Sequence, residues 1–138
     1  MSYPLKRLQI MLVEADPVKQ LYIELLLKDI PCNFIFAKTG EDAVRKFNSN
    51  IDGILMDIGL PGIDGYQAAE IIHQKHPYHT AIVYAYAYSD SILNTKFCSA
   101  KTGIEGLIKK PYLKNDLKDF MFQVNQKNSS HGKSMPLN

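Results

Sequence analysis

The sequence predicts an α/β fold built on a doubly wound sheet of five parallel strands, and three observations lead there. Five short apolar runs alternate along the chain with stretches whose apolar residues recur at helical spacing. The first run, Leu8 to Val13, is almost unbroken, the pattern of a parallel strand covered on both faces. The length, 138 residues, suits one core, and 46% hydrophobic with 22% charged residues is an ordinary globular composition that argues against disorder. Parallel neighbours require crossover connections, and right-handed crossovers place helices on both faces of the sheet.

The first strand ends in acid at Glu14. Asp16-Pro17 then supplies a helix cap followed by proline at the first helical position, and Val18, Leu21, Tyr22 and Leu25 fall on one predicted helix face before the break near Pro31. Asn33 to Ala37 form a second strand, and Thr39-Gly40 open a helix presenting Ala43, Val44 and Phe47. Ile51 to Met56 form a third strand that ends at Asp57. Turn signals at Leu60-Pro61-Gly62 and Asp64-Gly65 lead into a helix through Ala68, Ala69 and Ile72, which Pro77 closes. Ala81 to Ala87 give the fourth strand, followed by a helix with Leu93, Phe97 and Ala100 that Gly103 ends. Ile104 to Ile108 are the fifth strand. Leu113, Leu117, Phe120, Met121 and Val124 form the last amphipathic stripe, after which the chain turns polar; the expected domain is 1–125, with 126–138 a flexible tail.

A net charge of +2 is too mild to imply nucleic acid or an anionic membrane as partner, and Lys109, Lys110 and Lys114 are too few for a DNA-binding patch. No apolar run reaches the length of a membrane span, and Leu8 to Val13 stops at an acid where a signal-peptide core would continue. Cys32 and Cys98 have no metal spacing and suit free thiols in a reducing, cytosolic compartment. His73, His76 and His79 are expected as exposed residues near a helix end, since Pro77 interrupts them and no acid completes a metal set. Tyr84, Tyr86 and Tyr88 alternate onto one side of the fourth strand, as packing beneath a helix or as a binding surface.

In doubly wound sheets, ligands bind beyond the carboxyl ends of the strands. The residues that end strands here are Glu14, Asp57, Tyr86 and Lys110, two acids and a lysine converging from different strands. The stretch Met56-Asp57-Ile58-Gly59-Leu60-Pro61-Gly62-Ile63-Asp64-Gly65-Tyr66 resembles the phosphorylation loop of response-regulator receiver domains of two-component systems. Leu12 to Gln20 is similar to their acidic first loop, as found in receivers of hybrid histidine kinases, and Lys110-Pro111 matches their lysine-proline pair. The resemblance spans residues 8 to about 125. It implies a flavodoxin-like (βα)5 fold with strand order 2-1-3-4-5. By the same resemblance Asp57 accepts a phosphoryl group from a phosphohistidine on a histidine kinase or histidine phosphotransfer protein. Mg²⁺ is the implied cofactor, held by Glu14, Asp57 and the carbonyl of Gly59, while Lys110 faces the phosphoryl oxygens and Pro111 follows a cis bond.

Two positions depart from that pattern. Receivers usually carry two consecutive acids after the first strand, whereas Glu14 is followed by Ala15. Asp16 has two uses open to it, as a replacement metal ligand or as the cap of the helix that starts at Pro17, and capping is the simpler one. The second departure is Tyr86, where the family has the Thr or Ser of its conformational switch, together with Leu107 where an aromatic is common. The expectation is that the Tyr86 ring fills the space of that aromatic and weakens the usual relay. The predicted role is a phosphoacceptor reporting through its fourth strand, the helix after it and the last helix, rather than an enzyme. The alternatives are a degenerate pseudo-receiver that binds partners without phosphorylation, and a receiver segment of a hybrid kinase. A flavodoxin or aspartyl phosphatase is disfavoured: no hydroxyl-rich phosphate loop follows strand one, no second aspartate stands two residues beyond Asp57, and there is no Gly-rich dinucleotide turn.

Overall fold

Side chains of a strand point alternately to the two faces of a sheet, so a strand that is apolar at successive positions must be covered twice. The computed structural model, which describes residues 7–87 and 100–130, satisfies this with β1 (Leu8–Val13), β2 (Cys32–Ala37), β3 (Gly53–Asp57), β4 (Ile82–Ala87) and β5 (Ile104–Lys109). All neighbours are parallel, in the order β2-β1-β3-β4-β5. Every residue of the central β3 is buried.

Helices α1 (Pro17–Leu26), α2 (Gly40–Lys46), α3 (Gly65–Lys75) and α4 (Lys114–Ser130) connect or follow the strands. Met11, Val13, Ile54, Met56, Val83 and Ala85 pack on one side with Ala43, Ala68 and Ile72 of α2 and α3. Ile10, Leu12, Leu55, Tyr86 and Ile108 pack on the other with Ile23 of α1 and Leu117, Phe120, Met121 and Val124 of α4. Tyr84 lies against Phe120, with ring centroids 5.2 Å apart, which makes it packing beneath a helix. The helix expected through Leu93 and Phe97, with Tyr88 and Cys98, lies outside the described residues.

Three expectations are corrected. Helix α1 does not bury Val18, Leu21, Tyr22 and Leu25, which are 73%, 54%, 47% and 57% exposed; it buries Ile23, with Leu27 just beyond its end. Leu21 to Leu27 is apolar on nearly every side, so periodicity alone chose the wrong face. Leu113, expected in the last buried stripe, is 65% exposed and precedes α4. That helix also passes the expected boundary at 125 and runs to Ser130, with Asn128 buried. Once Phe120, Met121 and Val124 anchor it, adding polar residues to an existing helix costs little.

The histidines also differ from expectation, being partly buried around Phe47. His76 and His79 lie 4.9 and 5.2 Å from that ring, and His73 sits 5.6 Å from His79. His79 Nδ1 accepts a hydrogen bond from the Ala81 N–H at 3.1 Å, which requires an unprotonated nitrogen. Burial first, then the neighbouring His73, Lys127 and His76, lower its pKa from 6.5 to about 4. A lowered histidine pKa gives stability that is complete above the unfolded value and drains as pH falls toward the folded one. Between pH 6.5 and 4 the fold is therefore expected to lose about 1–2 kcal/mol through this group, after allowing for screening at a half-buried site. Urea titrations across that range on wild type and His79→Asn check it: the variant should lose less stability, and identical slopes would refute it.

Candidate functional site

A parallel sheet delivers the ends of its strands to one edge, so residues just past β1, β3, β4 and β5 become neighbours. Glu14 continues β1, its N–H donating to the Ala37 carbonyl at 2.9 Å. Lys110 likewise continues β5, donating to the Ala87 carbonyl at 2.7 Å. Asp57 ends β3 in register with Tyr86 of β4. Glu14, Asp57, Tyr86 and Lys110, predicted from sequence as strand-end residues, are all buried at this edge, Asp57 at 6% exposure.

The loop after β3 is shaped to hold Asp57. Its Oδ1 accepts from the Gly59 N–H at 3.0 Å. Gly62 adopts φ +80°, open to glycine at no steric cost, and Gly65 starts α3 so close to β3 that a Cβ would stand 2.5 Å from the Asp57 carbonyl oxygen. Asp64 and Gln67 close a reciprocal capping box at that helix start. Gly59 itself is exposed, so the carboxylate lies next to solvent although most of its surface is covered.

The charges compensate each other. Lys110 Nζ donates to Asp57 Oδ1 at 3.1 Å, both side chains being almost wholly buried, and it lies 4.9 Å from the centroid of the Tyr86 ring. Lys110 precedes Pro111 through a cis peptide bond. The Tyr86 hydroxyl donates to Glu14 Oε1 at 3.2 Å and approaches the Val13 carbonyl at 3.4 Å. Burial, then the charges of Glu14 and Asp57, push this phenol well above the usual tyrosine range, so it remains a donor.

Glu14 Oε2 accepts from the Asp16 N–H at 3.1 Å. Asp16, the other candidate ligand, accepts from the Val18 N–H through Oδ1 at 2.9 Å and caps α1, the simpler of its two expected uses. Among the described residues no three His, Cys, Asp or Glu side chains gather as a metal-binding group. Glu14, Asp57 and the Gly59 carbonyl are nonetheless hard oxygen donors, and they fit Mg²⁺, which keeps several waters and takes one or two carboxylates.

The expected exchange between Tyr86 and position 107 is also corrected. Tyr86 packs on the α1/α4 side, whereas Leu107 packs on the α2/α3 side, so the two side chains occupy opposite faces. The ring partner of Tyr86 is Tyr112, in an edge-on contact at 5.3 Å, and Tyr112 meets Tyr22 of α1 at 5.7 Å. Sequence reasoning missed Tyr112, although its place two residues after Lys110 was a usable signal. Lys19, Tyr22, Lys110, Pro111 and Tyr112 line a cleft of about 140 Å³.

The response regulator receiver domain family matches residues 10–121. A cyclic di-GMP phosphodiesterase of Thermotoga maritima is 33% identical over 102 residues, 74% of this chain but 27% of that protein, so the chain spans about a quarter of this relative. The receiver domain of sensor histidine kinase PA1611 from Pseudomonas aeruginosa PAO1, solved with magnesium in its active-site cleft, aligns with a TM-score of 0.71 at 25% identity over 88% of this chain and 98% of that one. The Saccharomyces cerevisiae Ssk1 receiver domain, solved with the histidine phosphotransfer protein Ypd1, shares the fold with a TM-score of 0.77 at 20% identity, covering 90% of this chain and 91% of that chain.

Removing the lysine leaves Asp57 buried without the cation it pairs with. Lys110→Met is therefore expected to destabilise the protein by about 3 kcal/mol, read as a lower urea midpoint in EDTA; an unchanged midpoint would show that the pair does not hold the pocket together.

Proposed function

The chain belongs to the response regulator receiver domain family, and from that premise we propose that Asp57 is the phosphoacceptor of a two-component relay. The observation that carries the reading is the buried Asp57–Lys110 pair beside Glu14, at the strand edge where this fold binds ligands. A free Asp57 oxygen forms a bond to phosphorus as the P–N bond of a partner's phosphohistidine breaks and its electron pair returns to the imidazole. Lys110 neutralises phosphoryl oxygens as they arrive, and the Gly59 N–H holds the carboxylate in place. Glu14, Asp57 and the Gly59 carbonyl would hold Mg²⁺, which supplies charge neutralisation at the phosphoryl group when bound. With Ala15 in the loop the site has one carboxylate fewer than its relatives usually have, which weakens binding without abolishing it.

The partner is a histidine kinase or histidine phosphotransfer protein, in keeping with the Ssk1 and PA1611 neighbours. Its phosphohistidine must reach Asp57, so it covers the rim of the pocket. That rim carries the cleft between Tyr22 and Lys110, continuous with the exposed Val18, Leu21, Tyr22 and Leu25 of α1, an apolar stripe suited to a helical partner. Phosphorylation shifts the fold less than in a receiver with a small hydroxyl residue at 86, because the Tyr86 hydroxyl is engaged by Glu14 and its ring is enclosed.

Intact mass after incubation with Mg²⁺ and acetyl phosphate should show one phosphoryl group, absent in Asp57→Asn. No adduct on wild type would favour a phosphorylation-independent interaction module. Leu21→Glu should slow transfer from a phosphorylated histidine donor by about tenfold while leaving labelling by acetyl phosphate unchanged; an equal effect on both donors would remove α1 from the docking surface.

A further inference from the structure

We propose that Tyr86 is a positioning residue for Glu14, its hydroxyl orienting the only acid of the first loop that enters the pocket toward a divalent cation. This rests on the metal-binding reading above and adds to it a residue that is not itself one of the metal's ligands.

Glu14 is held by two donors. Its side chain is buried, and each carboxylate oxygen has a donor: Oε2 from the Asp16 N–H at 3.1 Å and Oε1 from the Tyr86 hydroxyl at 3.2 Å. Every carboxylate oxygen has two lone-pair directions, so one donor on each leaves both oxygens able to face a cation. Donors of this kind, standing behind a metal ligand, set its direction and cost affinity when removed. The Tyr86 hydroxyl holds its place because the ring is 1% exposed, in edge-on contact with Tyr112, and flanked by Lys110. A threonine at 86 carries its hydroxyl several bonds nearer the backbone of β4 and would not reach across to β1 in this way. The same ring touches both sides of the chemistry, since its face meets Lys110 and its hydroxyl meets Glu14. With Ala15 supplying no second carboxylate and Asp16 Oδ1 engaged in the α1 cap, Glu14 is the first-loop acid that joins Asp57, and its orientation bears on affinity.

Mg²⁺ titrated by calorimetry into wild type, Tyr86→Phe, Glu14→Gln and the double variant tests this. Phenylalanine keeps the ring and removes only the hydroxyl, so melting temperature in EDTA controls for packing. The expected result is Mg²⁺ binding by wild type, about tenfold weaker binding by Tyr86→Phe, and no further loss when Tyr86→Phe is added to Glu14→Gln. Equal Mg²⁺ affinity for wild type and Tyr86→Phe overturns the inference alone, as does a full additive loss in the double variant. Absence of Mg²⁺ binding by wild type overturns the metal reading and the inference with it.

Discussion

Two carboxylates taken out of water on adjacent strands are the constraint around which the rest is arranged. Glu14 follows β1 and Asp57 ends β3, neighbours in the sheet, and both are buried. The compensating cation has to come from elsewhere in the chain, and it comes from the end of β5 at the sheet's edge. Lys110 reaches inward past Tyr86 to Asp57, so the geometry of β4 and β5 serves a charge balance on β1 and β3. The glycines of the 58–65 loop and the capping box at α3 follow from the same need, because they decide where Asp57 stands.

Tyr86 joins the two sides of the pocket. An aromatic residue fills the wall between the acids and the lysine, and its polar tip is spent on Glu14. The wall continues through Tyr112 to Tyr22, connecting the pocket to the surface of α1 by edge-on and tilted rings. The enclosed Tyr86 ring has few rotamers to visit.

Much of this was legible from residues alone, and the failures have physical causes. The strands were readable because near-continuous apolar runs bounded by Glu14, Asp57 and Lys110 leave few alternatives, and order 2-1-3-4-5 came with the resemblance carried by the 56–66 loop. Helix α1 was found but turned the wrong way, since Leu21 to Leu27 offers an apolar residue to almost any direction. The extension of α4 to Ser130 was hidden because polar residues can continue a helix anchored elsewhere. Asp16 was left between two uses that only its bond to the Val18 N–H separates. The Leu107 exchange failed on strand parity combined with register: β5 pairs Ile108, not Leu107, with Tyr86. The histidine cluster was invisible because Phe47, which gathers it, lies far away in the chain.

The pairing of the strands also fixes an order of completion. Strand β1 finds both its neighbours, β2 and β3, in chain that precedes Ile58, so three adjacent strands of the sheet come from the first part of the sequence. Lys110 is synthesised long afterwards, just past the strand at the far edge of the row. Until it emerges, Asp57 lacks the cation it is paired with in the folded protein. The Asp57–Lys110 pair is therefore completed only when β5 joins the sheet.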